Sequence, residues 1–328
     1  SGIPIVQCLD ILLNQTTSIP LKNAVRKVKE NVESGRRFAD SLEGYPGIFN
    51  RLYVSLVRAG EEGGVLDTIL NRLAVYLEKS VKIKNKIVGA LWYPAGIMIV
   101  AAIVIVALLT FVIPKFEQLF KQSGKELPAL TQMVVDASHF LQEHYLIVIG
   151  SAFGVVFAIT RYYMTQTGKE NIDGIMIRVP VFGALIQKGA LARFTRTTST
   201  MLSCGVGIIE SLDICSQVVG STVLEKAILR AKVAIAEGKS ITVPLSTEKF
   251  IPPMVTQMIG VGEATGSLDT MLGKIADFYE EEVDYAVGAL TSIMEPIMMV
   301  ILGGIIAVLV IAMYLPIFDL ASTVGGGR

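Results

Sequence analysis

The chain has 328 residues, of which 52% are hydrophobic, and its mean hydropathy is +0.57. That is more apolar than a soluble domain of ordinary charge usage and places part of the chain in a membrane. The 29 basic residues balance 29 acidic ones, and no tract is basic enough for a nucleic-acid footprint. Cys8, Cys204 and Cys215 show no C-x-x-C spacing, so reduced thiols packed as small hydrophobes are expected.

Taken in chain order, apolar residues recur every three or four positions over Ile3–Leu13 and Leu21–Val32, with Pro20 where a first helical turn tolerates it and Gly35 at a helix stop. The cluster from Gly60 to Gly64 separates two helices. The second runs from Leu66 toward Lys86 with no turn signal before Ile87, where 27 uncharged residues reach to Ile113. A bilayer core needs about 20 helical residues, so this segment spans it. A hairpin with Lys115, Lys121 and Lys125 follows. Tyr145–Thr160 has only 16 uncharged residues and spans if His144 and Arg161 reach the headgroups. Trp92, Tyr93, Tyr145, Tyr162, Tyr163 and Tyr314 mark span ends, as interface-seeking rings do. Leu185–Ser203 is amphipathic, with Lys188, Arg193 and Arg196. Helical periodicity then continues past Gly238, and the last helix passes from Leu272 beyond Gly288 into 23 uncharged residues, Pro296–Phe318. No run alternates long enough to argue for a strand.

The sequence is also written twice. Gly2-Ile-Pro-Ile-Val-Gln-Cys-Leu-Asp-Ile11 returns 203 residues later as Gly205-Val-Gly-Ile-Ile-Glu-Ser-Leu-Asp-Ile214. After one residue is dropped from a loop, Gly60-Glu61-Glu62-Gly63-Gly64-Val65-Leu66-Asp67 matches Gly262-Glu263-Ala264-Thr265-Gly266-Ser267-Leu268-Asp269. Pro94 then falls on Pro296, and Pro114 on Pro316. A repeat of this length is a duplicated domain, not a solenoid unit. Leu185–Ser203 has no counterpart in the first copy, so about 17 residues of the first bundle are expected ahead of Ser1. Homologous halves belong in one compartment, which requires an even number of spans between them, and the segments at 87–113 and 145–160 supply two. Lys and Arg near the spans, among them Arg72, Lys79, Lys82, Lys84 and Lys86, place both halves in the cytoplasm. The expected plan is a first cytoplasmic bundle over 1–86, spans at 87–113, 145–163 and 288–318, a short periplasmic hairpin at 114–144, a second bundle over 164–287 and a periplasmic tail at 319–328.

Four groups of residues are candidates for function. Gly60, Glu61 and Gly64, like Gly262, Glu263 and Gly266, sit at the repeated turn. There each glutamate is either a cap for the helix that follows or a contact for a partner. Asp67 and Asp269 are first-turn acids facing a helix dipole, with partner contact as the alternative. Glu295, just before Pro296, would cost about 2.5–3.5 kcal/mol at mid-bilayer, and 23 uncharged residues follow it, so the span can also begin after it. Gly150 with Gly154, and Gly303 with Gly304, thin the second and third spans for close helix packing. Gly238-Lys239-Ser240 is no phosphate loop, because Val233 stands where that motif needs glycine. His139 and His144, five apart in the hairpin, read as polar surface residues rather than a metal pair. No nucleophile–base constellation, cofactor site or metal-ligand set emerges.

Arg193-Phe194 through Gly205 with Leu212, the two Gly-Glu…Gly-x-Leu-Asp turns, Tyr93-Pro94, Ile113-Pro114-Lys115-Phe116, Leu127-Pro128 with Thr131, and Glu295-Pro296 together carry a resemblance. Over nearly its whole length the chain resembles the inner-membrane platform proteins of type IV pilus assembly and type II secretion. Met313-Tyr-Leu-Pro-Ile-Phe318 is closer to the pilus branch. The resemblance implies an all-helical membrane protein and a non-enzymatic, homo-oligomeric adaptor without a cofactor. Its implied partners are a hexameric ATPase, pilin subunits and other inner-membrane assembly proteins. Tyr93-Pro94 stands where the second copy has Glu295-Pro296, so any role for that acid belongs to the last span alone. Two other readings stay open: a type II secretion platform, and a small oligomeric transporter using Glu295.

Overall fold

The computed structural model describes residues 2–122, 128–180 and 182–325; Lys125 and Leu127 of the hairpin and Arg328 of the tail lie outside them. The described residues are helical throughout, with no strand among them. The first copy comprises α1 (Ile5–Gln15), α2 (Ile19–Glu33), α3 (Phe38–Leu42), α4 (Arg51–Gly63) and α5 (Leu66–Ala107). A π-helical turn, Leu108–Val112, leads into α6 (Ile113–Gln122), and α7 (Ala129–Glu143), α8 (Tyr145–Tyr163), α9 (Gln166–Met176) and α10 (Phe182–Ser203) follow. The second copy repeats the first helix for helix as α11 (Ile208–Val218), α12 (Thr222–Ala236), α13 (Thr242–Ser246), α14 (Pro253–Thr265) and α15 (Leu268–Gly325). Helix α10, with no counterpart ahead of α1, is the amphipathic segment seen in the sequence. The expected tail is helical as far as Gly325.

The chain divides into two compact units, residues 1–85 with 173–286, and residues 86–172 with 287–328. In the first, both copies share one body. The second copy builds its own core from Phe194, Leu212, Leu224, Ile228, Val255 and Ile275. The core of the first copy, around Leu42, Leu52, Leu56 and Ile69, takes in Met201, Val206 and Ile214 from the second. Met201 and Ile214 are fully buried there, worth roughly 1.5–3 kcal/mol each. Polar contacts ring this junction: Arg51 Nη1 lies 2.8 Å from Asp213 Oδ2, and Tyr76 Oη 3.1 Å from Thr197 Oγ1. The half-exposed Arg51–Asp213 pair contributes about 1 kcal/mol at most, so the buried side chains dominate. Lys232, hydrogen-bonded to Asp213, and Arg51 beside it hold the Asp213 carboxyl below the ordinary carboxylate range. Of the cysteines, Cys8 and Cys204 are half-buried free thiols, and Cys215 is fully buried, its thiol pushed up to about 12 by burial.

The second unit holds three helical stretches long and apolar enough to cross a membrane, contained in Leu66–Gln118, Tyr145–Tyr163 and Leu268–Leu315. Thus α5 and α15 each begin in the bundle and continue without interruption into a span, through Pro94 and Pro296. Near the far ends of these spans, the apolar side chains of Ile113, Val134, Val135, Leu309 and Ala312 cluster. A helical proline has no N–H for the carbonyl it would face, which is Ala312, four residues back, for Pro316 and, in the π-helical register where Ile113 N bonds Leu108 O, Leu109 for Pro114. Helix α7 answers both: the Ser138 hydroxyl donates to Leu109 O, and Thr131 Oγ1 donates to Ala312 O at 2.7 Å. Gln142 Nε2 lies 3.4 Å from the neighbouring Thr110 O and donates to Ser138 Oγ at 3.1 Å. Thr131→Val removes the donor and strands a buried carbonyl. It is expected to cost about 1–3 kcal/mol, read as a lowered Tm in detergent, with Thr131→Ser near wild type. His139, expected as a polar surface residue, is exposed, and its Nε2 lies 2.8 Å from the buried Glu117 carboxyl.

Candidate functional site

The repeated turn is built the same way in both copies. Helix α4 ends at Gly64 with φ +68° and α14 at Gly266 with φ +69°, left-handed conformations that a side chain would strain. Val65 N donates to Gly60 O and Ser267 N to Gly262 O, each at 2.9 Å, closing the helix ends. The next helix then doubles back at close range. A Cβ at Gly262 would stand 2.9 Å from Leu268 Cα, and one at Gly60 2.9 Å from Ile69 Cγ1. Glycine is required at both corners because the following helix occupies the space.

Of the two readings the sequence left for the glutamates, a cap for the following helix or a partner contact, the structure removes the first: each reaches back to the short helix before its own. Glu61 accepts from Phe38 N at 2.8 Å and Ala39 N at 3.0 Å, at the start of α3. Glu263 accepts from Ile241 N at 2.9 Å, Ser240 Oγ at 2.6 Å and Thr242 Oγ1 at 3.0 Å, at the start of α13. The cause is distance along the fold: the α4–α5 and α14–α15 corners are closed by backbone bonds, whereas the first turns of α3 and α13 have free N–H groups within reach. Burial pushes the Glu263 carboxyl up, but the bonds from Ser240, Ile241 and Thr242 together outweigh it and hold it below the ordinary range.

Asp67 is exposed in the first turn of α5, and Asp269 is half-buried in that of α15, where its backbone carbonyl accepts from Ser199 Oγ at 2.8 Å. Glu295 and Pro296 belong to the span unit and join neither corner; both are exposed along α15. A Cβ at Gly150, Gly154, Gly303 or Gly304 would meet nothing within 4 Å among the described residues, so these glycines make no close helix approach within the chain. No group of three metal-binding side chains occurs among the described residues.

The sequence did not reveal the network that ties α5 and α10 to α15. Lys79 lies 3.0 Å from Asp277 and 3.2 Å from Glu280, and Arg196 Nε lies 2.6 Å from Glu280 Oε1 and also pairs with Asp277. The repeat gave no signal for it, since Glu281 stands where the second copy would carry the counterpart of Lys79.

A duplicated helical bundle whose final helices continue into spans, with paired glycine–glutamate corners, defines a multi-pass membrane protein built by domain duplication. The chain belongs to the family of type II secretion system (T2SS) protein F, which it matches over residues 1–114 and 194–316. It is 48% identical over 324 residues to the type IV pilus assembly protein PilC of Myxococcus xanthus, covering 99% of this chain and 78% of that protein. To PilC of Thermus thermophilus it is 42% identical over 324 residues, 98% of this chain and 80% of the relative. To the type II secretion system protein F of Pseudomonas aeruginosa it is 31% identical over 325 residues, 99% and 80% respectively.

Proposed function

We propose that this chain is an inner-membrane platform of a type IV pilus machine, with its bundles in the cytoplasm. It acts as a non-enzymatic adaptor that couples a hexameric ATPase to insertion or removal of pilin subunits. The observation that carries the reading is that α5 and α15 each run unbroken from the bundle into a span, so displacement of a bundle helix is passed along a continuous backbone. Higher identity to pilus assembly proteins than to secretion proteins, 48% against 31%, favours the pilus branch. At the paired corners, Asp67 and Asp269 stand in the first turns of those two helices, while Glu61 and Glu263 tie α4 and α14 to the short helices α3 and α13. Deleting the gene is expected to abolish surface filaments under the electron microscope, and a plasmid copy to restore them. Filaments that persist after deletion would sink the pilus reading. Lost export of secreted proteins in the same strain would then select the secretion platform.

A further inference from the structure

The two copies have one fold, so a position buried in one and exposed in its counterpart marks a surface that something outside the copy covers. Ile214 on α11 is 0% exposed, and its counterpart Ile11 on α1 is 42% exposed; Val206 and Ile3 differ in the same way, at 7% and 44%. Ile214 and Val206 enter the core of the first copy, together with Met201 of α10. The receiving side shows the mirror difference. Leu52 on α4 is 1% exposed and its counterpart Met254 on α14 is 36% exposed; Leu56 is buried while Met258 is half-buried.

The inserting face of the second copy therefore docks on the receiving face of the first, leaving an inserting face on the first copy and a receiving face on the second. Each residue type is retained or replaced by another apolar one: Ile11 for Ile214, Ile3 for Val206, Met254 for Leu52, Met258 for Leu56. We infer that these two open faces meet between two copies of this chain, α1 of one against α14 of the next, in a head-to-tail contact repeating the one inside the chain. Such a heterologous contact either closes into a ring or continues as an open array. The polar partner differs: Asp10 is paired with Lys29 as Asp213 is with Lys232, but Pro253 stands where Arg51 reaches Asp213. The contact between chains thus has the apolar centre without that ion pair. Leu12 is outside it, because its counterpart Cys215 packs in the second copy's own core and bonds to Phe194 O of α10.

The test uses the full-length protein in native membranes, with Cys8 and Cys204 replaced by serine and the buried Cys215 retained. Asp213→Cys with Arg51→Cys in one chain is the control: a short bis-maleimide should join them within the chain. Two differently tagged chains are then co-expressed, one carrying Asp10→Cys and the other Pro253→Cys, the repeat-equivalent pair; Ile11→Cys with Met254→Cys is a second pair. The expected result is a cross-linked species carrying both tags, lost when either cysteine is omitted. With the control working, no two-tag species from either pair overturns the inference and means that another segment or protein covers these faces. Cross-linking of Asp10→Cys or Ile11→Cys chains to themselves alone also overturns it, since that requires two inserting faces to meet each other.

Discussion

Gly262→Val is expected to open the corner between α14 and α15 and to destabilise the bundle by about 3 kcal/mol, the top of the range for overpacked cores. The first added carbon would lie 2.9 Å from Leu268 Cα and 3.1 Å from Met271 Cβ, and backbone cannot step aside as a side-chain tip can. The matching change in the first copy, Gly60→Ala, presses mainly on the Ile69 side chain and is expected to cost about 1 kcal/mol. Thermal or denaturant unfolding of the purified protein ranks them. Gly262→Val unfolding at the wild-type midpoint would show that the corner does not need the close approach.

Glu263→Lys is the second large effect. It removes the acceptor for Ile241 N and for the Ser240 and Thr242 hydroxyls and puts a cation where N–H groups converge. Loss of a cap, about 2 kcal/mol, and a reversed charge at a helix start, about 0.5 kcal/mol, act together. Glu263→Gln keeps one acceptor oxygen and should lose about 1 kcal/mol. The pH dependence gives an independent reading. Because the folded-state pKa is depressed, the carboxylate's stabilisation is fully present above the ordinary glutamate pKa of about 4.3 and drains away as pH falls through the folded value. Wild type should therefore lose stability on acidification in that window, and Glu263→Gln should lose less. A Glu263→Lys protein that unfolds at the wild-type midpoint yet fails to assemble filaments would instead mark the residue as a partner contact.

The sequence carried the architecture well because its strongest signals, 27- and 23-residue uncharged runs and a repeat offset by 203 residues, are set by bilayer thickness and by duplication. Helices α1 and α2 came within two residues of the apolar periodicity at their starts, and α10 within three. What periodicity could not show was where a long side chain goes. Glu61 and Glu263 were placed correctly at helix ends, yet their bonds run to residues more than 20 positions earlier, a tertiary fact with no local spacing rule. The merging of both copies into one body was equally hidden. Ile11 and Ile214 are the same residue type in the same local sequence, and only the fold decides which one is covered. The spans' glycines were legible as small residues, but a pattern of small residues does not say what packs on them.

Helix α7 belongs to neither copy, yet its side chains serve both. Of the prolines that duplication delivered, the pair Pro114 and Pro316 each leaves a carbonyl without its helical donor, and one unrepeated helix supplies both with replacements. Sequence drift is therefore constrained unequally. A change at Pro114 or Pro316 alters the demand of one span. A change that shifts α7 along its axis unseats Ser138 and Thr131 together and loosens both spans in a single step.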